Sequence, residues 1–133
     1  LGFAFKANTN DTRESAAIQI CKDLLEEGAN LIIHDPIVDE NQIKIDLKTS
    51  NNNQKTNLQF SNSWSFTNSL DNVFKETHAV VILTEWSEYS EIDWLNIAKT
   101  MKKPGWVFDS RLIVNTKKVL EANLKLWRIG DGT

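Results

Sequence analysis

Three basic side chains could together bind a phosphorylated ligand. Lys6 follows an apolar run at residues 1–5, and Arg111 follows another at 106–108. Arg13 lies near the predicted start of the first helix. A guanidinium group offers a planar fork that matches phosphate oxygens, whereas an ammonium group acts as a point charge. Since the whole chain carries a net charge of −3, three cations at one site would favour an anionic ligand.

Whether these side chains meet depends on the elements that carry them. Short apolar runs have the length of buried strands; they lie at residues 1–5, 31–33, 58–60, 79–83, 106–108 and 126–129. Segments with helical spacing of apolar residues lie at about 12–25, 66–74, 92–101 and 117–121. Alternating strands and helices are typical of βαβ units with right-handed crossovers. We therefore expect one domain over residues 1–133 with an α/β fold: a Rossmann-like, doubly wound, mostly parallel sheet of five or six strands with helices on both faces.

Local signals predict where some elements begin and end. Asp11 and Glu14 have the spacing of a capping box, which predicts a helix that starts just after Asp11. Gly28 lies where a C-terminal cap glycine belongs. Residues 43–47 alternate between apolar and polar side chains, which fits either a short strand or one turn of helix. The Asn-rich stretch at 51–54 is predicted to be a flexible surface loop.

The polar residues that follow the predicted strands indicate a ligand site. In open α/β sheets, ligands bind outside the carboxyl ends of the strands. The polar residues expected at that edge are Lys6, His34, Asp35, Thr84, Glu85, Trp86, Asp109, Ser110 and Arg111. The first helix should direct its N-terminus, with Arg13, toward the same edge, which adds a favourable dipole for an anion.

Structural roles compete with ligand binding at these positions. Lys6 could be a solvated lysine at a strand end. Arg13 could form a salt bridge with Glu14 or Glu85, and Arg111 could form one with Asp109 or Glu85. Asp35 precedes a proline, and aspartate in that setting is typical of a residue that fixes a turn.

Several classes of function lack their sequence signals. No G-x-G-x-x-G follows the first strand, so this domain is not expected to bind NAD in the usual dinucleotide manner. No cluster of metal ligands is present, and His34 and His78 are predicted to be structural. No basic field favours nucleic acid or membranes, and no apolar run approaches the roughly 20 residues that span a bilayer. The single cysteine, Cys21, is predicted to lie in the core and fits a reducing, cytoplasmic setting.

Five motifs in this order resemble the UDP-glucose/GDP-mannose dehydrogenase family. They are LGFAFK at residues 1–6, a T-x-D-T-R-E-S run at 9–15, HDP at 34–36, AVVILTEW at 79–86 and FDSR at 108–111. The third departs from the family's usual Tyr-Asp-Pro, and the last has Ser where many members have Gly. The resemblance covers nearly the whole chain except the Asn-rich loop, and the motifs together are highly specific.

The resemblance implies a parent enzyme, UDP-glucose 6-dehydrogenase, with three parts. An N-terminal Rossmann domain would bind NAD, a long central helix would support a dimer, and this C-terminal domain would bind the UDP-sugar. The positions that match Phe5, Lys6 and Arg111 would contact UDP-glucose, and the position that matches Arg13 would reach toward NAD. The partners implied are UDP or UDP-glucose and the rest of the same polypeptide, in an enzyme expected to be a homo-oligomer.

The resemblance also implies that the chemistry lies elsewhere in the polypeptide. The family oxidises the C6 alcohol of the sugar to a carboxylate in two NAD-linked steps, through a cysteine thiohemiacetal and a thioester. Its catalytic cysteine lies in a glycine-rich segment that this sequence lacks, and Cys21 is not that residue. We expect this chain, which begins with Leu rather than Met, to be a C-terminal piece with no catalytic residue and no dehydrogenase activity alone.

Two classes of alternative remain open at this point. A dehydrogenase for GDP-mannose or a UDP-N-acetylhexosamine shares the strand-end lysine and the Asp-x-Arg pattern, although the Thr-Glu-Trp and Arg-Glu-Ser runs favour the UDP-glucose type. A non-enzymatic nucleotide-sugar-binding, regulatory or assembly module would have a similar sheet. Lys6 counts against a receiver domain, which needs acidic residues at the end of its first strand.

Overall fold

The computed structural model describes residues 1–48 and 63–130 as alternating strands and helices. The strands are β1 (Leu31–His34), β2 (Trp64–Thr67), β3 (Ala79–Ile82), β4 (Trp106–Asp109) and β5 (Lys125–Arg128). The helices are α1 (Ala16–Glu26), α2 (Glu40–Lys48), α3 (Trp94–Ala98) and α4 (Thr116–Glu121). Two 3₁₀ turns lie at Leu70–Asn72 and Ser87–Glu91.

The five described strands form two parallel sheets joined by the first residues of the chain. β1 pairs with β2, and β4 pairs with both β3 and β5. The Leu1 nitrogen donates to the Val81 oxygen at 2.6 Å, and the Leu83 nitrogen donates to the Leu1 oxygen at 2.9 Å. The Gly2 nitrogen donates to the His34 oxygen at 2.8 Å. The order is therefore β2, β1, residues 1–2, β3, β4, β5, which is the order of a doubly wound Rossmann sheet.

The predicted class is confirmed, but fewer strands are regular than the sequence indicates. Residues 1–5 were expected to form a strand and do not, because Gly2 adopts a φ of +89° and the chain bends from Ala4 onward. Regular strand pairing is therefore interrupted at this segment, so β1–β2 and β3–β4–β5 are separate sheets that the hydrogen bonds of Leu1 and Gly2 connect. The predicted strand at 58–60 and the Asn-rich loop lie outside the described residues.

Two helix predictions are wrong, and both errors come from contacts distant in sequence. α1 begins at Ala16 rather than just after Asp11, because the Ser15 hydroxyl caps Ala17 and donates to the Phe3 oxygen at 2.8 Å. The helix expected at 66–74 is instead the end of β2 followed by a 3₁₀ turn. Pairing of β2 with β1 satisfies its backbone groups, and this overrides the helical spacing of its apolar residues.

Other local predictions are confirmed. Residues 43–47, for which the sequence allowed either a short strand or a turn of helix, belong to α2. Gly28 follows α1 with a φ of +89°, the conformation of a helix-ending glycine. Residues 92–101 contain the short α3, and Asp93 caps it by accepting from the Asn96 nitrogen.

The helices pack in pairs that enclose the sheet. α1 contacts α2, and α3 contacts α4. In this strand order, the usual right-handed crossovers would place the two pairs on opposite faces of the sheet. Cys21 on α1 is buried in the core, and burial raises the pKa of its thiol to about 11, which leaves it protonated and unreactive at neutral pH.

Candidate functional site

Along the sheet, β1 and β2 lie on one side of residues 1–2, and β3, β4 and β5 lie on the other side. The candidate site lies next to residues 1–2, at the edge of the sheet where the strands have their carboxyl ends. From there the chain runs to β1 on one side and, later, to β3 on the other. In open α/β folds the ligand crevice forms where the strand order reverses. Three chain segments follow these strand ends: residues 3–7, residues 35–38 and residues 83–86.

Asp35 ties these three segments together. Its carboxylate is fully buried, and Oδ2 accepts from the Phe3 nitrogen at 2.8 Å, the Ala4 nitrogen at 3.1 Å and the Trp86 indole nitrogen at 3.2 Å. Oδ1 accepts from the backbone nitrogens of the following turn, at Ile37 and Val38. The predicted turn-fixing role is confirmed, while the links to the first segment and to Trp86 had no sequence signal. With five donors, this carboxylate has no oxygen free for a ribose hydroxyl.

Gly2 and Thr84 bring the first segment and β3 into close contact. The Thr84 hydroxyl donates to the Ala4 oxygen at 2.8 Å, and Thr84 is fully buried. A methyl carbon added to Gly2 would lie 2.7 Å from the Thr84 nitrogen and closer still to its side chain. Glycine at position 2 is therefore required both by its positive φ and by this close approach.

Arg111 is held at the edge by groups from two segments, residue 109 and residues 83–85. Its backbone nitrogen donates to Oδ1 of the buried Asp109 at 3.0 Å. Its Nε donates to the Leu83 oxygen at 2.9 Å, and its Nη1 lies 3.5 Å from Oε2 of Glu85. The neighbouring Ser110 hydroxyl donates to the Ile82 oxygen at 2.6 Å. The sequence left Asp109 and Glu85 open as salt-bridge partners of Arg111, and the structure has the ion pair with Glu85.

Glu85 also reaches the segment that carries Lys6. Its Oε1 accepts from the Ala7 nitrogen at 3.2 Å. Lys6 and Phe5 precede that nitrogen, and both side chains are exposed, Phe5 to 46%. Two of the predicted substrate-binding residues therefore lie on a segment bonded to the same carboxylate that faces Arg111.

Arg13 has a different environment. Its side chain is 88% exposed, and its Nε and Nη2 donate to Asp11 at 3.0 and 2.8 Å. These hydrogen bonds from Arg13 hold the pKa of the Asp11 carboxyl at about 2. Among the described residues, the hydrogen bonds and the ion pair of Arg13 go only to Asp11, and not to Glu14 or Glu85, the partners that the sequence left open as an alternative. Both arginines of the predicted cationic site thus have carboxylate partners, and the edge is less positive than the sequence indicates.

A buried pair, His34 and Tyr89, lies beneath the site. The Tyr89 hydroxyl lies 2.8 Å from Nδ1 of His34 and donates to the His34 oxygen at 3.3 Å. Burial lowers the pKa of His34 and raises that of Tyr89, so both are neutral at pH 7. The predicted structural role of His34 is confirmed, whereas Tyr89 was not singled out by the sequence.

The described residues show no other obvious site. Residues 1–48 and 63–130 contain no group of three or more His, Cys, Asp or Glu side chains that could hold a metal ion. Within the same ranges, no helix has the length and apolar character needed to cross a membrane.

Comparison with known proteins identifies the relatives of this chain. Residues 1–116 match the UDP binding domain of the UDP-glucose/GDP-mannose dehydrogenase family. The chain is 40% identical to UDP-glucose 6-dehydrogenase of Drosophila melanogaster over 130 residues, which cover 98% of this chain and 27% of that protein. It is 38% identical to UDP-glucose 6-dehydrogenase 2 of Arabidopsis thaliana, over 98% of this chain and 28% of that protein. The chain thus spans about a quarter of the length of these relatives.

A solved structure supports the fold. NDP-N-acetyl-D-galactosaminuronic acid dehydrogenase from Methanosarcina mazei Go1 superposes with a TM-score of 0.74 and 20% sequence identity. The superposition covers 97% of this chain and 23% of that one. At this identity the likeness concerns the backbone arrangement alone.

Proposed function

Because the chain belongs to the UDP-glucose/GDP-mannose dehydrogenase family, as its UDP-binding domain, we propose that it binds the UDP-glucose substrate of a UDP-glucose 6-dehydrogenase. The observation that carries this proposal is the arrangement of Arg111 and of residues 5–7, which we call the Lys6 segment, where the strand order reverses. Arg111 is fixed there by Leu83 and Glu85, and the guanidinium keeps donors that can bind phosphate oxygens.

Each proposed contact has a chemical role. Arg111 would form a fork to the diphosphate, and Lys6 would add a mobile positive charge beside it. Phe5 exposes an aromatic ring next to Lys6, which suits contact with an apolar face of the nucleotide or sugar. These roles orient and anchor the substrate; we propose no catalytic residue on this chain.

The cofactor proposal is limited by the same geometry. NAD accepts the hydride in such dehydrogenases, and its usual binding mode needs an acidic residue that bonds the ribose. Asp35, the acid near that place, is fully buried and engaged by five donors, so this domain does not fit NAD in that mode. We propose that NAD is bound by the rest of the polypeptide and that the exposed Arg13 reaches toward it. The homo-oligomer, the cytoplasmic location and the single domain over 1–133 stay predictions.

Calorimetric titration of the protein with UDP and with GDP tests the proposal. UDP is expected to bind with a Kd at least about tenfold below that of GDP, which corresponds to about 1.4 kcal/mol. Arg111→Ala should weaken UDP binding by at least about tenfold, because a charge-assisted hydrogen-bond donor to phosphate is lost. Lys118→Ala, which removes an exposed cation on α4, is the matched control and should leave the Kd unchanged.

Two outcomes would contradict the proposal. Preference for GDP over UDP would favour the GDP-mannose branch of the family. Absence of binding to either nucleotide by the protein in its full natural length would leave an assembly module as the better interpretation.

A further inference from the structure

We infer that Glu85 is a positioning residue that holds the Lys6 segment and Arg111 at a fixed separation, so that both meet the diphosphate together. The inference rests on the proposed UDP-binding function and adds a residue to it. Glu85 itself carries a negative charge, so it is not a ligand for an anion. Its effect on binding is exerted through the two cationic segments.

The geometry of one carboxylate carries the inference. Oε1 of Glu85 accepts from the Ala7 nitrogen at 3.2 Å, and Oε2 lies 3.5 Å from Nη1 of Arg111. Oε2 is buried and has no hydrogen-bond partner, so its contact with the guanidinium is an ion pair without a directed hydrogen bond. Glu85 therefore orients Arg111 by charge while it leaves the guanidinium donors available to a ligand.

The position of Glu85 distinguishes it from the buried residues around it. Thr84 and Trp86 on either side are buried, whereas Glu85 and Arg111 side chains are 37% and 36% exposed. Within residues 1–48 and 63–130, no other side chain contacts both Arg111 and the segment at 5–7 in the hydrogen bonds and ion pairs of the structure. Glu85 thus lies at the rim of the crevice, where it can influence a ligand.

Two opposite effects of Glu85 on an anion must be compared. Its charge repels a diphosphate, and if that effect dominated, removal of the carboxylate would tighten binding. Against this, Arg111 and the Lys6 segment would each have to be ordered by the ligand if Glu85 were absent, and such ordering weakens binding. Since the charge of Glu85 is already compensated by Arg111 at 3.5 Å, we expect the loss of ordering to dominate.

A double-mutant cycle tests this coupling. UDP binding is measured by calorimetry, without NAD, on the protein in its full natural length and on Glu85→Ala, Glu85→Gln, Arg111→Ala and the Glu85→Ala/Arg111→Ala double variant. Glu85→Ala is expected to raise the Kd about tenfold. Glu85→Gln keeps an acceptor for the Ala7 nitrogen and should raise it about threefold. In the Arg111→Ala background, Glu85→Ala should add less than about threefold, because its main partner is absent.

Control variants distinguish the positioning role of Glu85 from a general effect of losing a negative charge or of unfolding the protein. Glu91→Ala removes an exposed carboxylate from the end of the 3₁₀ turn that follows Glu85 and should leave the Kd unchanged. If Glu85→Ala does not fold, as judged by thermal unfolding, Glu85→Gln decides the matter alone. In an active enzyme, both Glu85 variants should raise KM for UDP-glucose while kcat changes less than about twofold.

The two proposals can fail separately. If the unmodified protein does not bind UDP, the proposed function is wrong. If the unmodified protein binds UDP and Arg111→Ala weakens it, but Glu85→Ala or Glu85→Gln binds UDP as tightly as before or more tightly, the positioning role of Glu85 is wrong while the binding function stands.

Discussion

Arg111 and Arg13 lie in two regions that the fold holds in different ways. Arg111 contacts residues from the end of β3 and is backed by Asp109, which is buried. Arg13 is 88% exposed, and within the part of the chain that the structure describes it bonds only to Asp11, in a turn that includes Glu14 with a φ of +59°. One arginine is held by tertiary contacts, which suits its proposed role in binding a ligand on this domain, and the other is exposed, which suits its proposed role toward the rest of the polypeptide.

Behind Arg111 lies a buried set of residues that we call the strand-end frame: Gly2, Asp35 and Thr84. All three are buried and link residues 1–4 to the ends of β1 and β3. The turn at residues 8–14 carries the exposed Arg13; it also contains the buried Thr12, and its Asp11 oxygen accepts from the Phe5 nitrogen at 2.8 Å. Matched substitutions can compare residues in or next to the strand-end frame with residues outside it.

The largest difference should appear between two aspartates. Asp35→Ala leaves five donors without their acceptor, and loss of a buried, fully bonded charge destabilises proteins by about 3–5 kcal/mol. Asp11→Ala removes a surface ion pair and should change the free energy of unfolding by less than about 1 kcal/mol. Urea denaturation of both variants measures the contrast. A loss below about 1 kcal/mol in Asp35→Ala would show that Asp35 does not hold the strand-end frame together.

Two glycines with the same backbone conformation give the next contrast. Gly2 and Gly28 both have a φ of +89°, so alanine at either costs about 1–2 kcal/mol in backbone conformation. Gly28 has open space where a methyl group would lie, whereas at Gly2 that group would collide with Thr84. Gly2→Ala should therefore lose about 1–3 kcal/mol more than Gly28→Ala in thermal or urea unfolding. Equal losses would mean that the contact with Thr84 relaxes freely.

Lysine substitutions compare the two arginines directly, since the charge is kept. Arg111→Lys loses the planar fork and the Nε bond to Leu83, and UDP binding should weaken about tenfold. Arg13→Lys should change the Kd for UDP less than about twofold, because that side chain is proposed to serve a partner beyond this domain. Calorimetry with UDP on both variants provides the measurement. A similar loss in both would place Arg13 in the UDP site and remove the distinction.

The smallest expected effect is a dependence of folding stability on pH, with one pH range for His34 and a lower one for Asp11. Burial lowers the pKa of His34 below its ordinary 6.5, so the unfolded chain takes up a proton first and stability falls as pH drops below about 6.5. Hydrogen bonds from Arg13 lower the pKa of Asp11 from 3.8 to about 2, so its contribution is present above pH 3.8 and is lost as pH falls toward 2.

Urea midpoints measured across pH check both windows. His34→Asn should reduce the slope of stability against pH between pH 6.5 and 5, whatever its effect on absolute stability, and Asp11→Asn should reduce that slope only below pH 3.8. A His34→Asn variant that keeps the full slope between pH 6.5 and 5 would assign that slope to another group.

The parts of the fold that were predicted correctly depend on short stretches of sequence. The runs at 31–33, 79–83, 106–108 and 126–129 correspond to β1, β3, β4 and β5 because continuous apolar residues are typical of strands covered on both sides. The start of α1 and the helix expected at 66–74 were wrong because distant partners decided them: the Phe3 oxygen for Ser15, and β1 for β2.

The candidate site shows the same division. That Lys6 and Arg111 lie at one edge followed from parallel strands, whose carboxyl ends meet there. That Glu85 rather than Asp109 carries the ion pair with Arg111, and that Asp35 bonds Trp86, depends on side-chain geometry that strand topology does not specify.

By itself, the sequence determined the α/β class, the family and the identity of the cations beside the ligand edge, because apolar runs and short motifs are local properties of a chain. Only the tertiary structure decided that the first segment joins two sheets, that Gly2 must be glycine against Thr84, and that one arginine is fixed while the other is exposed. The physical reason is that hydrogen bonds between residues 30 to 80 positions apart have no periodic signal, and they exist only once the strands are side by side.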